Sequence, residues 1–187
     1  MNKDDVIEYF VTRAEELLTL AYRYAVRSND PSTQNGAVVM SFMDPDGPPI
    51  GVGWNRLPRG MDETPERMRD REFKYANILH AEETALTAAS SATDLFLPKV
   101  LVCPWAFCLP CAGRATEHNV VLAVVHRQRM EAKKRPEWDR SIENARRHLL
   151  DNGVVLVEHD GLLPDAPAIL VHEQLWRPSA AEFVYTA

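Results

Sequence analysis

The chain has 187 residues, of which 45% are hydrophobic and 26% charged, and its formal net charge at pH 7 is −6. This length and composition predict one globular domain with a real core. The acidic balance argues against nucleic acid as the main partner, because neutralising phosphates requires clustered lysine and arginine. The most basic stretches, Lys133-Lys134-Arg135 and Arg146-Arg147-His148, are interpreted as solvated helix surface.

The N-terminal sequence MNKDDVIEYF is charged from the start, and no apolar run in the chain approaches ~18 residues. We therefore expect a cytoplasmic protein that does not enter a membrane. In that compartment, three cysteines favour a metal site or a reactive thiol over a disulfide.

The first half of the chain alternates between helix and strand signals. Apolar side chains recur with a helical period over residues 4–27, and the sequence SNDP then ends that helix. The runs GAVVMSF (36–42) and IGVGW (50–54) predict an antiparallel hairpin. The polar, proline-punctuated segment 55–77 predicts a flap or binding loop.

The second half predicts helices at 78–90, 109–118 and 137–150, separated by strands at 99–103, 119–126 and 154–159. Strands joined by helices imply parallel pairs. The predicted fold class is therefore α/β, a three-layer α/β/α sandwich around a five-stranded mixed sheet, formed by residues 1–159.

Residues 160–187 do not fit this pattern and are treated as a C-terminal extension. It carries two apolar patches, Ile169–Val171 and Leu175-Trp176. The extension could cover an edge strand, a partner subunit or the mouth of a pocket. Because apolar patches often mark interfaces, we expect a homo-oligomer.

All three cysteines lie in the stretch CPWAFCLPC at 103–111. Cys108 and Cys111 are two residues apart, a spacing that lets two thiolates meet one ion at a helix start. Such a pair alone is weak evidence, since two nearby cysteines are often simply buried. Cys103 ends a predicted strand, and we assign it to packing.

His80, in the sequence His80-Ala81-Glu82, is the candidate for a third ligand. Its helix and the helix after Cys108 both begin just beyond predicted strands, so their positively polarised N-termini should converge. One histidine and two cysteines leave a fourth position open, as in catalytic rather than structural zinc sites. The predicted cofactor is therefore Zn²⁺.

Glu82 lies two residues after His80, where a carboxylate could take a proton from water and return it to a leaving group. The pattern H-x-E followed by C-x-x-C is the signature of zinc nucleobase deaminases. We predict Glu82 as the catalytic acid and base.

Three further stretches resemble the cytidine deaminase superfamily, and within it the deoxycytidylate (dCMP) deaminases. SNDPSTQNGAVV (28–39) resembles SKDPSTQVGAVI, GVGWNRLPRG (51–60) resembles GxGYNGxPRG, and REFKYANILHAEETAL (71–86) resembles KYxYVxHAExNAI. The resemblance, which covers about 28–126, implies deamination of a free cytosine nucleotide, dCMP to dUMP with release of ammonia. It also implies substrate contacts at Asn55, on the sugar side, and at Ala81; for Asn55 the alternative is a turn residue.

The chain departs from the family pattern at four positions near the expected site: Asn29, Asn35, Thr84 and Phe107. Asn29 replaces a lysine, so a substrate phosphate would need another cation. The candidates are Arg27, Arg56, Arg59, Arg71 and Lys74.

Two alternatives stay open. The same chemistry could act on a modified cytosine nucleotide, a nucleoside or tRNA adenine, or the chain could be a non-catalytic, deaminase-like domain that binds nucleotides. The SxDPSTQ and NxxPRG stretches favour a free nucleotide, and the intact Glu82 favours an enzyme.

Overall fold

The computed structural model describes residues 2–132 and 136–184. At positions 136 and 137 it describes the backbone but not the side chains. The basic stretch 133–135 lies outside the described residues. The helices are α1 Lys3–Thr12, α2 Ala14–Ala25, α3 Pro65–Arg69, α4 Arg71–Asn77, α5 Ala81–Ala92, α6 Leu109–Glu117, α7 Arg127–Glu131 and α8 Pro136–Asp151. The strands are β1 Gly36–Ser41, β2 Gly51–Trp54, β3 Lys99–Val102, β4 Val120–His126, β5 Val155–His159, β6 Ile169–Val171, β7 Gln174–Arg177 and β8 Glu182–Val184.

A five-stranded sheet in the order β2-β1-β3-β4-β5 forms the centre of the fold. Strand β1 pairs antiparallel with both β2 and β3, whereas β3, β4 and β5 run parallel. The parallel connections pass through helices α6 and α8, as strand–helix–strand crossovers require. The predicted five-stranded mixed sheet is confirmed.

Side chains alternate between the two faces of this sheet, which separates two hydrophobic cores. On β1, Val38 packs with α1 and α2 whereas Val39 packs with α5 and α6. On β4, Leu122 and Ala123 divide in the same way. Because β4 is covered on both faces, it carries almost no polar residue, and the three-layer sandwich is confirmed.

Two expectations about the N-terminal half are wrong. The predicted helix 4–27 is two helices, because the backbone of Arg13 (φ −96°, ψ 6°) leaves the helical region between α1 and α2. The predicted loop 55–77 contains α3 and α4. Each of these starts with a side-chain cap, from Thr64 and from Asp70 respectively.

The extension forms a second, three-stranded antiparallel sheet in the order β6-β7-β8. Its residues Ile169, Val171 and Trp176 are at most 2% exposed and share the core of α2. The apolar patches that led us to expect an oligomer are therefore largely covered within the chain. The division at residue 159 and the oligomeric state stay predictions.

Across the part of the chain that the structure covers, we find no helix with the length and apolar character that crossing a membrane demands.

Candidate active site

Two helix starts converge at one end of the sheet. His80 is the N-cap residue of α5 and Cys108 is the N-cap residue of α6, and neither side chain caps its own helix. Both side chains are therefore available for another partner. The N-terminus of each helix directs backbone N–H groups and a partial positive charge toward this region, which favours negatively charged ligands.

The three predicted metal ligands meet here. His80 Nδ1 lies 3.4 Å from Cys108 Sγ and 3.4 Å from Cys111 Sγ, and the three atoms all lie within 4.8 Å of one another. One imidazole nitrogen and two thiolates are ligands that zinc prefers, and three of them match an open, catalytic site. The donor set therefore fits a zinc ion. Among the described residues, no other cluster of histidine, cysteine and carboxylate side chains meets the same criterion.

These groups also hold protons that a metal ion would have to displace. The hydrogen bond between the two thiols lowers the pKa of Cys108 and raises that of Cys111. The hydrogen bond to Cys108 raises the pKa of His80 to about 9. Ligands must lose their protons to bind a metal, so uptake of zinc by this cluster would release protons.

Glu82 is buried in the first turn of α5, with 3% of its surface exposed, and it lines the same pocket as His80 and Cys108. Burial raises the pKa of Glu82 to about 7, because the charged carboxylate loses its water. A carboxyl group that titrates near neutral pH can both accept and donate a proton under ordinary conditions.

The pocket is a cleft between the helix starts, the segment 30–35 and the extension. The predicted residues His80, Ala81, Glu82, Cys108 and Asn55 all line it. The other lining residues are Asp30, Ser32, Thr33, Asn35, Lys74, Tyr75, Ile78, Trp105, Ala106, Trp138, Ile142 and His172.

Asn55 is 7% exposed and holds the segment 33–35 in place. Its Oδ1 accepts a hydrogen bond from Asn35 N at 2.7 Å, while its Nδ2 donates to Thr33 O at 2.8 Å and to Asp30 Oδ2 at 3.3 Å. The side chain therefore organises the backbone of one pocket wall.

Of the five cations considered for a phosphate, Lys74 is the one found among the described lining residues. Its Nζ lies 2.9 Å from Asp30 Oδ1 and 2.6 Å from Ser32 Oγ, and both ion-pair partners are buried. Lys74 thus already neutralises a carboxylate inside the pocket.

Phe107 and Thr84, two of the departures from the expected pattern, have structural roles, and so does Cys103. Phe107 is 3% exposed and packs in the core beside α5 and α6; it is not among the lining residues of this pocket. Thr84 donates to the carbonyl oxygens of Trp54 and Ala81. Cys103 is fully buried and accepts from Asn35 Nδ2 at 3.2 Å, in agreement with a packing role.

The sequence reasoning missed the aromatic wall of the pocket. The Trp138 ring lies 6.3 Å from the Tyr75 ring and 6.5 Å from the Trp105 ring, centroid to centroid. His172 closes the wall from the extension, 6.4 Å from Trp105. The one sequence signal was the presence of Tyr75 and Trp138 as large aromatic residues in otherwise polar segments.

Comparison with known proteins agrees with this geometry. The family model described as the cytidine and deoxycytidylate deaminase zinc-binding region matches residues 11–127. The chain is 30% identical over 97 residues to deoxycytidylate deaminase of Mus musculus, covering 48% of this chain and 49% of the relative. It is 35% identical over 109 residues to the Danio rerio cytidine and dCMP deaminase domain-containing protein 1, covering 49% of this chain and 23% of the relative.

Among solved structures, the dCMP deaminase of cyanophage S-TIM5, in complex with dCMP and dUMP, superposes with a TM-score of 0.59 at 20% identity. That match covers 78% of this chain and 95% of the other, and it supports the fold. The chain spans between 23% and 51% of the length of the curated relatives that it matches. Because the family match covers more than half of this chain and includes every predicted metal ligand, the chain belongs to the cytidine and deoxycytidylate deaminase family of zinc-binding proteins.

Proposed function

We propose that this protein is a zinc-dependent hydrolase that deaminates a free cytosine nucleotide, with dCMP to dUMP as the first reaction to test. The observation that carries the proposal is the meeting of His80 Nδ1 with the sulfurs of Cys108 and Cys111, at a pocket that His80, Cys108 and Glu82 line. The substrates of the relatives support the choice of a cytosine nucleotide.

His80, Cys108 and Cys111 would hold the zinc ion. When bound, zinc supplies a Lewis acid that makes a coordinated water molecule more acidic. The two thiolates would balance the charge of the ion, so a nearby base is needed to take the proton from water.

Glu82 is proposed to be that base. In its carboxylate form it accepts a proton from the water whose oxygen adds to C4 of the cytosine ring, and it passes that proton to the ring nitrogen N3. The second proton of that water, from the hydroxyl group now on C4, then passes to the amino group, so that the C4–N bond breaks and ammonia leaves. The water supplies the oxygen of the new carbonyl group, and the product is a uracil ring.

Asn55 and Ala81 are proposed to contact the substrate. Both Nδ2 hydrogens of Asn55 are already directed at protein acceptors, but an amide oxygen has two lone pairs and Oδ1 uses one for Asn35 N. Asn55 would therefore accept a hydrogen bond from a hydroxyl group on the sugar. The aromatic wall of Tyr75, Trp105 and Trp138 offers flat surfaces against which a ring can pack.

A second candidate substrate is the uncharged nucleoside. It is favoured by one observation, the ion pair between Lys74 and Asp30, which already satisfies the lysine that lines the pocket. A phosphate dianion would have to compete with the Asp30 carboxylate for this lysine.

The test combines substrate choice with one pair of variants. Ammonia release is measured with dCMP, deoxycytidine and a tRNA stem-loop, and zinc content is measured for each protein. Glu82→Gln should abolish turnover and keep its zinc. The matched control is Glu83→Gln, because Glu83 is the adjacent glutamate and instead pairs with Arg114 at 2.7 Å. Turnover by Glu82→Gln at the wild-type rate would refute the role of Glu82.

A further inference from the structure

We propose that His172 contacts the substrate and determines specificity at its sugar and phosphate end. His172 lies 45 positions beyond the last residue of the family match at 127, and it lines the same pocket as Glu82, His80 and Cys108. The proposal rests on the proposed function, since it names a residue that selects the substrate of that site.

The turn that carries His172 is fastened to one wall of the pocket by backbone hydrogen bonds. Glu173 N donates to Ser32 O at 2.7 Å, and His172 N donates to Thr33 Oγ1 at 3.2 Å. Gln34 N donates to Leu170 O at 2.8 Å. The extension therefore holds its turn in a fixed position against residues 32–34.

Asn55 holds this same segment from its other side, through Thr33 O and Asn35 N. Asn55 is the residue proposed to meet the sugar. Since His172 and Asn55 are fixed to the same short stretch of backbone, His172 faces the sugar and phosphate end of a bound nucleotide. An imidazole can donate to a phosphate oxygen or to a hydroxyl oxygen.

The backbone of the turn is unfavourable for the residues that it contains. His172 (φ 52°) and Glu173 (φ 66°) form the two-residue loop between β6 and β7, and both lie in the left-handed region. Loops of this kind strongly prefer asparagine and glycine. A strained backbone in a ligand pocket is a recognised sign of a functional constraint, and here it places an imidazole in the pocket wall.

The side chains around His172 agree with a substrate contact. The His172 ring meets the Trp105 ring at an interplanar angle of 82°, with the centroids 6.4 Å apart, and Trp105 also lines the pocket. His172 is half-buried, whereas the adjacent Glu173 is exposed and is not a lining residue. The two turn positions therefore share a backbone conformation and differ in access to the pocket.

This difference provides a matched pair of variants. His172→Asn removes the imidazole but introduces a residue that tolerates the left-handed conformation, so the turn should persist. Glu173→Asn makes the same kind of change on the solvent side. We expect His172→Asn to raise KM for dCMP about tenfold, the effect of one lost hydrogen bond to a charged group, with kcat changed less than about twofold. Glu173→Asn should leave both constants unchanged.

Comparing dCMP with deoxycytidine, which lacks the phosphate, shows whether His172 contacts the phosphate or the sugar. A rise in KM for dCMP alone assigns the contact to the phosphate, and a rise for both substrates assigns it to the sugar. If the two variants have equal KM values for every substrate that the protein deaminates, the proposal fails.

Binding of dUMP, followed by tryptophan fluorescence, tests His172 independently of turnover. If the wild-type protein releases no ammonia but dUMP binds more weakly to His172→Asn than to Glu173→Asn, the deamination proposal fails and the His172 contact stands. If turnover occurs and the two variants behave alike, deamination stands and the His172 contact fails. A wild-type protein that neither turns over nor binds these nucleotides would overturn both.

Discussion

Arg129 is an arginine in an environment that penalises its charge. It lies on α7, is 0% exposed, and its three guanidinium nitrogens have no hydrogen-bond acceptor among the described residues. The guanidinium carbon lies 5.0 Å from the centre of the Trp105 ring. Burial lowers the pKa of Arg129 to about 10, because the charged form loses its hydration.

The cost of this burial can be set against the contact that Arg129 gains. The difference between a pKa of 12.5 and one of about 10 corresponds to roughly 3 kcal/mol against the charged, folded form. A desolvated stack on a tryptophan ring returns about 2 kcal/mol. We therefore expect Arg129→Met, which removes the charge and keeps an apolar chain of similar length, to change the free energy of unfolding by between zero and about +2 kcal/mol.

Urea denaturation followed by circular dichroism at pH 7 measures this change. The control is Arg127→Met on the same helix, since Arg127 is 43% exposed and pairs with Asp160 at 3.0 Å. The control should lose less than about 1 kcal/mol. Removing the arginine of a buried ion pair lowers the free energy of unfolding by about 3–5 kcal/mol, because the partner's charge stays buried without compensation. A loss of that size in Arg129→Met would refute the reasoning that the guanidinium is unpartnered.

Three further predictions concern packing, acid stability and the metal. Gly53→Ala should lower the free energy of unfolding by about 2 kcal/mol or more, because a Cβ there would lie 2.6 Å from Ala81 O. If the variant unfolds at the same urea concentration as the wild-type protein, this prediction is wrong. Burial lowers the pKa of His126 to about 4. Between pH 6.5 and about 4 the unfolded chain therefore binds a proton at this residue that the folded chain does not, and the free energy of unfolding should fall as the pH drops through this range. His126→Gln should flatten that dependence, and an unchanged slope in urea titrations at several pH values would speak against it. Cys111→Ser should lose its zinc in elemental analysis whereas Cys103→Ser keeps it; equal zinc content in the two would remove Cys111 from the ligand set.

The errors in the predicted fold have local causes. Apolar side chains continue with a helical period on both sides of Arg13, so periodicity could not reveal the break between α1 and α2. The helices α3 and α4 are different, because their caps are visible in the sequence. Thr64 precedes a proline at the first helical position, and Asp70 caps α4 through Phe73 N at 3.0 Å. The polarity and prolines of 55–77 outweighed these signals in our interpretation.

The meeting of His80, Cys108 and Cys111 was predictable because it depends on two short motifs. Each places its side chains within the first turn of one helix, and β1 and β3 pair in the sheet that brings those helix starts together. The wall of the pocket was not predictable in this way. Trp138 lies on α8 and His172 lies in the extension, and neither position follows from the spacing of nearby residues.

The extent of the family match limits what the relatives indicate about the substrate of this chain. The family match ends at residue 127, so it contains His80, Glu82, Cys108 and Cys111 but not Trp138 or His172. Similarity to dCMP deaminases therefore bears directly on the groups proposed to act at C4 of the ring. In the proposed reaction, the part of the substrate beyond the ring would meet a wall to which α8 and the extension contribute Trp138 and His172, with Lys74 already held by Asp30. For this reason the ratio of activity on dCMP to activity on deoxycytidine should respond to changes at His172, while the capacity to deaminate should respond to changes at Glu82.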